Sequence, residues 1–76
     1  MADKVLDARN LNCPLPILKT KRALGDVRVG GTLEVLATDP GSPDDFLAFA
    51  DSTGNTLLEQ SEDGTGVFRF LLRREA

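Results

Sequence analysis

Chemistry in this chain has few places to start. Among its 76 residues there is one cysteine and no histidine. The cysteine sits in Asn12-Cys13-Pro14-Leu15-Pro16, with two prolines on its C-terminal side. A thiol in that setting can act as a nucleophile, as a redox group or as a small apolar filler. A Cys–His protease pair lacks its base, and a protein-only zinc site lacks ligands. An internal disulfide needs a second thiol, so the thiol is read as reduced and the compartment as cytoplasmic.

The prolines say how the thiol is held. A residue before proline avoids the α region, which makes Cys13 extended. Proline suits the first turn of a helix, where its absent N–H would have lacked a partner anyway. Residues 17–24 contain no glycine or proline and are rich in helix formers. The reading is a helix from Pro14 to about Val27, with Cys13 as its N-cap. A helix start leaves N–H groups unpaired and carries partial positive charge, a setting that lowers a thiol pKa. Pro14 and Pro16 each remove a donor, so the Leu15 N–H is the main one left to face the sulfur. Cysteine is a weak cap beside Ser, Thr, Asp or Asn, which favours a chemical role over a structural one. The residues alone leave the other reading open, because free cysteine is also a frequent buried hydrophobe.

Other candidates are weaker. Asp44 and Asp45 are adjacent, but neighbours on a helix diverge by about 100°, so they are read as first-turn dipole compensation rather than one acid/base site. Net charge is −3, unevenly spread. Lys4, Arg9, Lys19, Lys21, Arg22 and Arg28 outnumber Asp3, Asp7 and Asp26 in the first 28 residues, whereas residues 29–68 hold no Lys or Arg. Arg9, Lys19 and Arg22 therefore form a candidate docking side for an acidic partner. The alternative is that basic residues late in the helix simply complement its dipole. The acidic total and the four Phe as sole aromatics argue against specific nucleic-acid binding. There is no apolar run of membrane-span length and no signal-peptide pattern.

The elements that must position these groups follow from pattern. Lys4–Ala8 reads as a strand, with residues 9–12 as loop. In the first helix Ile17, Leu24 and, off-centre, Leu18 mark the buried face, with Leu15 and Ala23 as weaker members, and Lys21 falls on it with a stem that snorkels. Gly25 either ends the helix early or simply weakens it, and Gly30-Gly31 ends the segment either way. Thr32–Thr38 is a strand with Leu33, Val35 and Ala37 on one side. Ser42 is read as the N-cap of a second helix with Pro43 at its first position and Gly54 at its end. Asn55–Ser61 and Val67–Arg73 are strands joined by a hairpin around Asp63-Gly64. The order β-α-β-α-β-β makes residues 1–76 one domain, an α/β (α+β) two-layer sandwich. Two helices cover one face of a mixed four-stranded sheet, strands one and two are parallel, and the last two are antiparallel. Nothing in the pattern demands an oligomer or a cofactor.

These residues resemble a known family. Leu6-Asp7-Ala8 followed by Leu11-Asn12-Cys13-Pro14-Leu15-Pro16 is similar to the Cys-Pro-x-Pro signature of the TusA (SirA/YedF-like) sulfur carriers. Gly31-Thr32-Leu33-Glu34-Val35, Thr38-Asp39-Pro40-Gly41-Ser42, Asp45, Gly54 and Phe68-Arg69-Phe70 agree in order and spacing. The resemblance implies a two-layer fold and a cysteine, Cys13, that carries sulfane sulfur as a persulfide, with Pro14, Leu15 and Pro16 shaping its surroundings. It also implies a donor such as a cysteine desulfurase or rhodanese-like protein, and an acceptor in tRNA thiolation, molybdenum cofactor work or sulfur oxidation. Asp39 and Asp45 match acidic positions of the pattern and join Arg9, Lys19 and Arg22 as candidate partner-binding residues. Asn12 and Asp44 stand where the family often has basic residues. A persulfide held by the helix dipole would exchange by thiol–disulfide logic, with no general base required in this chain. Two other classes remain: a redox-sensing thiol, which would need a partner thiol as resolving group, and a non-catalytic regulatory or interaction domain with a structural cysteine.

Overall fold

Strand alternation builds the core. The computed structural model describes residues 2–75. Its elements are β1 (Lys4–Ala8), α1 (Leu15–Leu24), β2 (Thr32–Ala37), α2 (Ser42–Thr53), β3 (Thr56–Glu62) and β4 (Phe68–Arg73). In β2 the side chains of Leu33, Val35 and Ala37 are fully buried, and Phe70 and Leu72 of β4 join them. Successive strand residues face opposite sides, so these share one face. Ala23 and Leu24 of α1 and Phe46, Phe49 and Ala50 of α2 close the same cluster. The Phe46 ring stacks on Phe70 with centroids 4.2 Å apart and planes 9° from parallel.

The sheet runs β1-β2-β4-β3, so the last strand is inserted between β2 and β3. β1 is parallel to β2, and β4 is antiparallel to both of its neighbours. A bulge between Leu57 and Glu59 interrupts β3, an edge strand whose last five residues are all exposed. On the face away from the helices, Arg69 bridges Glu34 at 2.9 Å and Glu59 at 3.4 Å, tying three strands together.

Several local expectations are corrected. α1 ends at Leu24 rather than near Val27. Gly25, Asp26 and Val27 continue with N–H bonds to the carbonyls three residues back. The Arg74 guanidinium then reaches the carbonyls of Leu24, Gly25 and Val27 at 3.3, 3.4 and 2.6 Å, a cationic cap on a helix C-terminus. The buried face of α1 is Pro16, Thr20, Ala23 and Leu24, whereas Leu18 is 55% exposed and Lys21 is exposed. Thr20 can be buried because its hydroxyl donates to the Pro16 carbonyl at 2.7 Å. In α2 the N-cap is Gly41, not Ser42, which lies inside the first turn with its hydroxyl buried and unpartnered. Gly54 does end α2, in the left-handed conformation at φ 75°. Strand boundaries differ from expectation by about one residue.

Candidate functional site

The parallel pairing of β1 and β2 decides where the site lies. Each of these strands is followed by a helix, so both helices begin at the same edge of the sheet, beyond the carboxyl ends of the strands. Two loops meet there. The Asn10 N–H donates to Thr38 Oγ1 at 2.8 Å, lacing the β1–α1 loop to the β2–α2 loop. Asn10 sits at φ 66°, a conformation Asn tolerates better than most residues. The chain then enters Asn12-Cys13, and the Cys13–Pro14 peptide bond is cis.

Cys13 stands outside α1. The N-cap is Pro14, and the first backbone bond of the helix runs from the Leu18 N–H to the Pro14 carbonyl at 3.1 Å. Two expectations fall with that placement. The Leu15 N–H does not face the sulfur, because it closes a turn onto the Asn12 carbonyl at 2.9 Å. The thiol pKa is raised, not lowered: the Asp45 carboxylate accepts its hydrogen bond, desolvation adds to this, and the charges of Asp45 and Asp39 act in the same direction. With Pro16 donating nothing and Leu15 already engaged, the helix offers the sulfur little positive charge to oppose two carboxylates.

The acidic pair is positioned by α2. The Asp45 N–H donates to the Gly41 carbonyl at 3.0 Å, and the Ser42 N–H to the Asp39 carbonyl at 2.9 Å. A side chain on Gly41 would lie 3.4 Å from Asp39 Oδ2 and 3.6 Å from Asp45 Oδ2, so both carboxylates flank one backbone point. Asp44, one residue along, faces a different surface with Leu47 and Asp51. The divergence of Asp44 from Asp45 is as helix geometry requires, but reading Asp45 as only a dipole group is incomplete. An open cavity of about 390 Å³ holds Cys13, Pro14 and Ile17 against Asp45, Ala48, Phe49 and Ser52.

The remaining candidates are not brought to the thiol as one cluster. Pro16 is buried on the inner face of α1. Leu15, 45% exposed, lines a separate groove of about 350 Å³ between α1 and β1, with Leu18, Lys19, Arg22 and Lys4. Arg9 forks onto Asp7, with Nε and one terminal nitrogen each 2.9 Å from a carboxylate oxygen. That hydrogen bond holds the Asp7 carboxyl at about 2, and Asp7 raises the Arg9 pKa in turn. The residues that sequence reasoning missed are Ala48, Phe49 and Ser52. Their signal was present as the i, i+3, i+4, i+7 stripe that starts at Asp45. Among the described residues no metal-holding group of His, Cys, Asp or Glu side chains occurs, and no helix is long and apolar enough to cross a membrane.

Comparison with known proteins places this geometry. Residues 4–74 match the family model described as Sulfurtransferase TusA. The chain is 54% identical over 72 residues to the sulfur carrier protein TusA of Allochromatium vinosum, covering 95% of this chain and 93% of that one. It is 40% identical over 74 residues to TusA of Pseudomonas putida GB-1, covering 97% and 91%. The crystal structure of a SirA-like protein from Desulfitobacterium hafniense superimposes with a TM-score of 0.82 at 26% identity, covering 96% of this chain and 99% of that chain. With the strand–helix order, the prolines after the lone thiol and these matches over nearly the whole length, the chain belongs to the TusA sulfurtransferase family.

Proposed function

We propose that this protein carries sulfane sulfur as a persulfide on Cys13 and relays it from a donor protein to an acceptor protein. The observation that carries the reading is the position of its one thiol: exposed, before a helix start, at the edge where two loops converge. A sulfur bound to another protein can be reached there. In loading, Cys13 Sγ attacks the outer sulfur of the donor's persulfide. A new S–S bond forms, the donor's S–S bond breaks, and its electron pair leaves with the inner sulfur as a thiolate. In delivery, a nucleophile of the acceptor attacks the outer sulfur and Cys13 Sγ leaves. Neither step needs an oxidant or a reductant.

In this reading the chain is a one-domain sulfurtransferase whose turnover depends on its partners. The donor is a cysteine desulfurase or rhodanese-like protein, and the acceptor belongs to tRNA thiolation, molybdenum cofactor assembly or sulfur oxidation. The α1–β1 groove with Leu15, Lys19 and Arg22 is the docking side for an acidic, apolar surface. Arg9, already paired with Asp7, contributes less. The test is intact-mass measurement after incubation with polysulfide, thiosulfate, or a desulfurase with cysteine, beside Cys13→Ser. Addition of one sulfur atom to the wild type only, reversed by dithiothreitol, is the expected result. No added sulfur from any donor refutes the reading.

A further inference from the structure

The carrier chemistry leaves one group at the thiol without a task. Asp45 lines the same cavity as Cys13, although the two residues are brought together only by the packing of α1 beside α2. Elsewhere the carboxylates of Asp7, Asp26, Glu34, Glu59 and Glu75 each pair with Lys or Arg at 3.4 Å or less. Among the described residues Asp45 takes no such partner, as Asp3, Asp39, Asp44, Asp51, Glu62 and Asp63 take none, but Asp45 alone of these lines the cavity with the thiol. Asp39, from the β2–α2 turn, is the other charged group acting on the sulfur. The rest of the cavity is uncharged: Pro14 and Ile17 from the α1 side, Ala48, Phe49 and Ser52 from α2.

We propose that Asp45 is the catalytic proton acceptor and donor for Cys13 during sulfur transfer, a role that rests on the carrier reading above. A thiol kept protonated by neighbouring carboxylates is a weak nucleophile, and its thiolate is a weak leaving group, so the proton must move together with the sulfur. During loading the proton on Cys13 Sγ passes to the Asp45 carboxylate as Sγ attacks the donor's outer sulfur. Asp45 then hands it to the departing donor thiolate. The balance is one thiol plus one persulfide anion giving one persulfide anion plus one thiol. During delivery to a thiol acceptor the order reverses: Asp45 takes the acceptor's proton and returns it to Cys13 Sγ as the S–S bond breaks. Positioned proton transfer of this kind is worth about 100-fold or more.

The experiment compares wild type, Asp45→Asn and Asp45→Glu as full chains with matched circular dichroism. Two rates are followed from mildly acidic to mildly alkaline pH: alkylation by iodoacetamide, and persulfide exchange with cysteine persulfide and cysteine. Alkylation needs only the thiolate, so removing the carboxylate charge accelerates it in Asp45→Asn. Persulfide exchange needs the proton relay, so it slows by at least about tenfold at neutral pH. Its rate in Asp45→Asn then climbs with pH, whereas the wild type stays flat below the thiol titration, and Asp45→Glu recovers much of the loss. If Asp45→Asn accelerates both reactions by the same factor, Asp45 acts only through its charge and the proposal falls. A wild type that takes up no sulfur overturns the carrier reading beneath it instead.

Discussion

Replacing Phe46 by alanine tests how the fold holds the site. Phe46 is fully buried, stacks on Phe70 with centroids 4.2 Å apart, and directly follows Asp45 in the first turn of α2. Truncating a buried Phe costs about 3–5 kcal/mol, combining lost transfer energy with the cavity left behind. Of that, about 0.5–1.5 kcal/mol belongs to the ring pair. For 76 residues the whole stability is roughly 4–11 kcal/mol, so one side chain accounts for a large part of it. There is no Trp or Tyr to report unfolding by fluorescence, so far-UV circular dichroism in urea is the assay. With a slope of about 1 kcal/mol per molar urea for so small a domain, the midpoint should fall by about 3 M or more. Leu47→Ala, one residue on and 61% exposed, is the control and should change stability by less than about 0.5 kcal/mol. A loss in Phe46→Ala below about 1 kcal/mol, or equal to that in the control, would refute the packing argument and with it the anchoring of Asp45.

Two further outcomes follow from local geometry. Arg9→Ala removes the side chain that lowers the Asp7 pKa most, so the carboxyl should rise from about 2 toward its ordinary 3.8. Because the folded value is depressed, the stability linked to Asp7 is present above pH 3.8 and is lost as pH falls through about 2. The site is exposed, so the readout is the Asp7 titration by NMR, and an unmoved midpoint in Arg9→Ala contradicts the pairing. Gly54→Ala places a side chain at φ 75° with no atom within 4 Å to strike. Its cost is purely conformational, about 1 kcal/mol by urea unfolding. Gly54→Asn should lose less, and equal losses in the two variants would contradict that account.

Much of this molecule is written in short-range pattern. Pro14 and Pro16 announce a helix after the thiol, Leu33-Val35-Ala37 alternate as a half-buried strand must, and Gly54 stops α2 because few other residues accept its backbone angles. These rules act within a few residues, so they survive without knowledge of the fold. Their errors are local too. The pattern reads Cys13 as one cap and Ser42 as the other, but each helix instead starts from a residue with no side-chain hydrogen bond, Pro14 in one case and Gly41 in the other.

What the chain sequence determined by itself is the single thiol, the order of elements and the family motif around Cys13. Tertiary structure decided the rest. The insertion of β4 between β2 and β3 joins segments far apart in sequence, and no local pattern encodes that pairing. Parallel β1 and β2 put both helix starts at one edge, and there Asp45 shares a cavity with a thiol 32 positions earlier in the chain. From the sequence alone the helix start predicts a more acidic thiol. In the folded protein the nearby N–H is engaged and two carboxylates stand beside the sulfur, so the pKa moves the other way. Electrostatic effects depend on distance in space, and only the fold sets that distance.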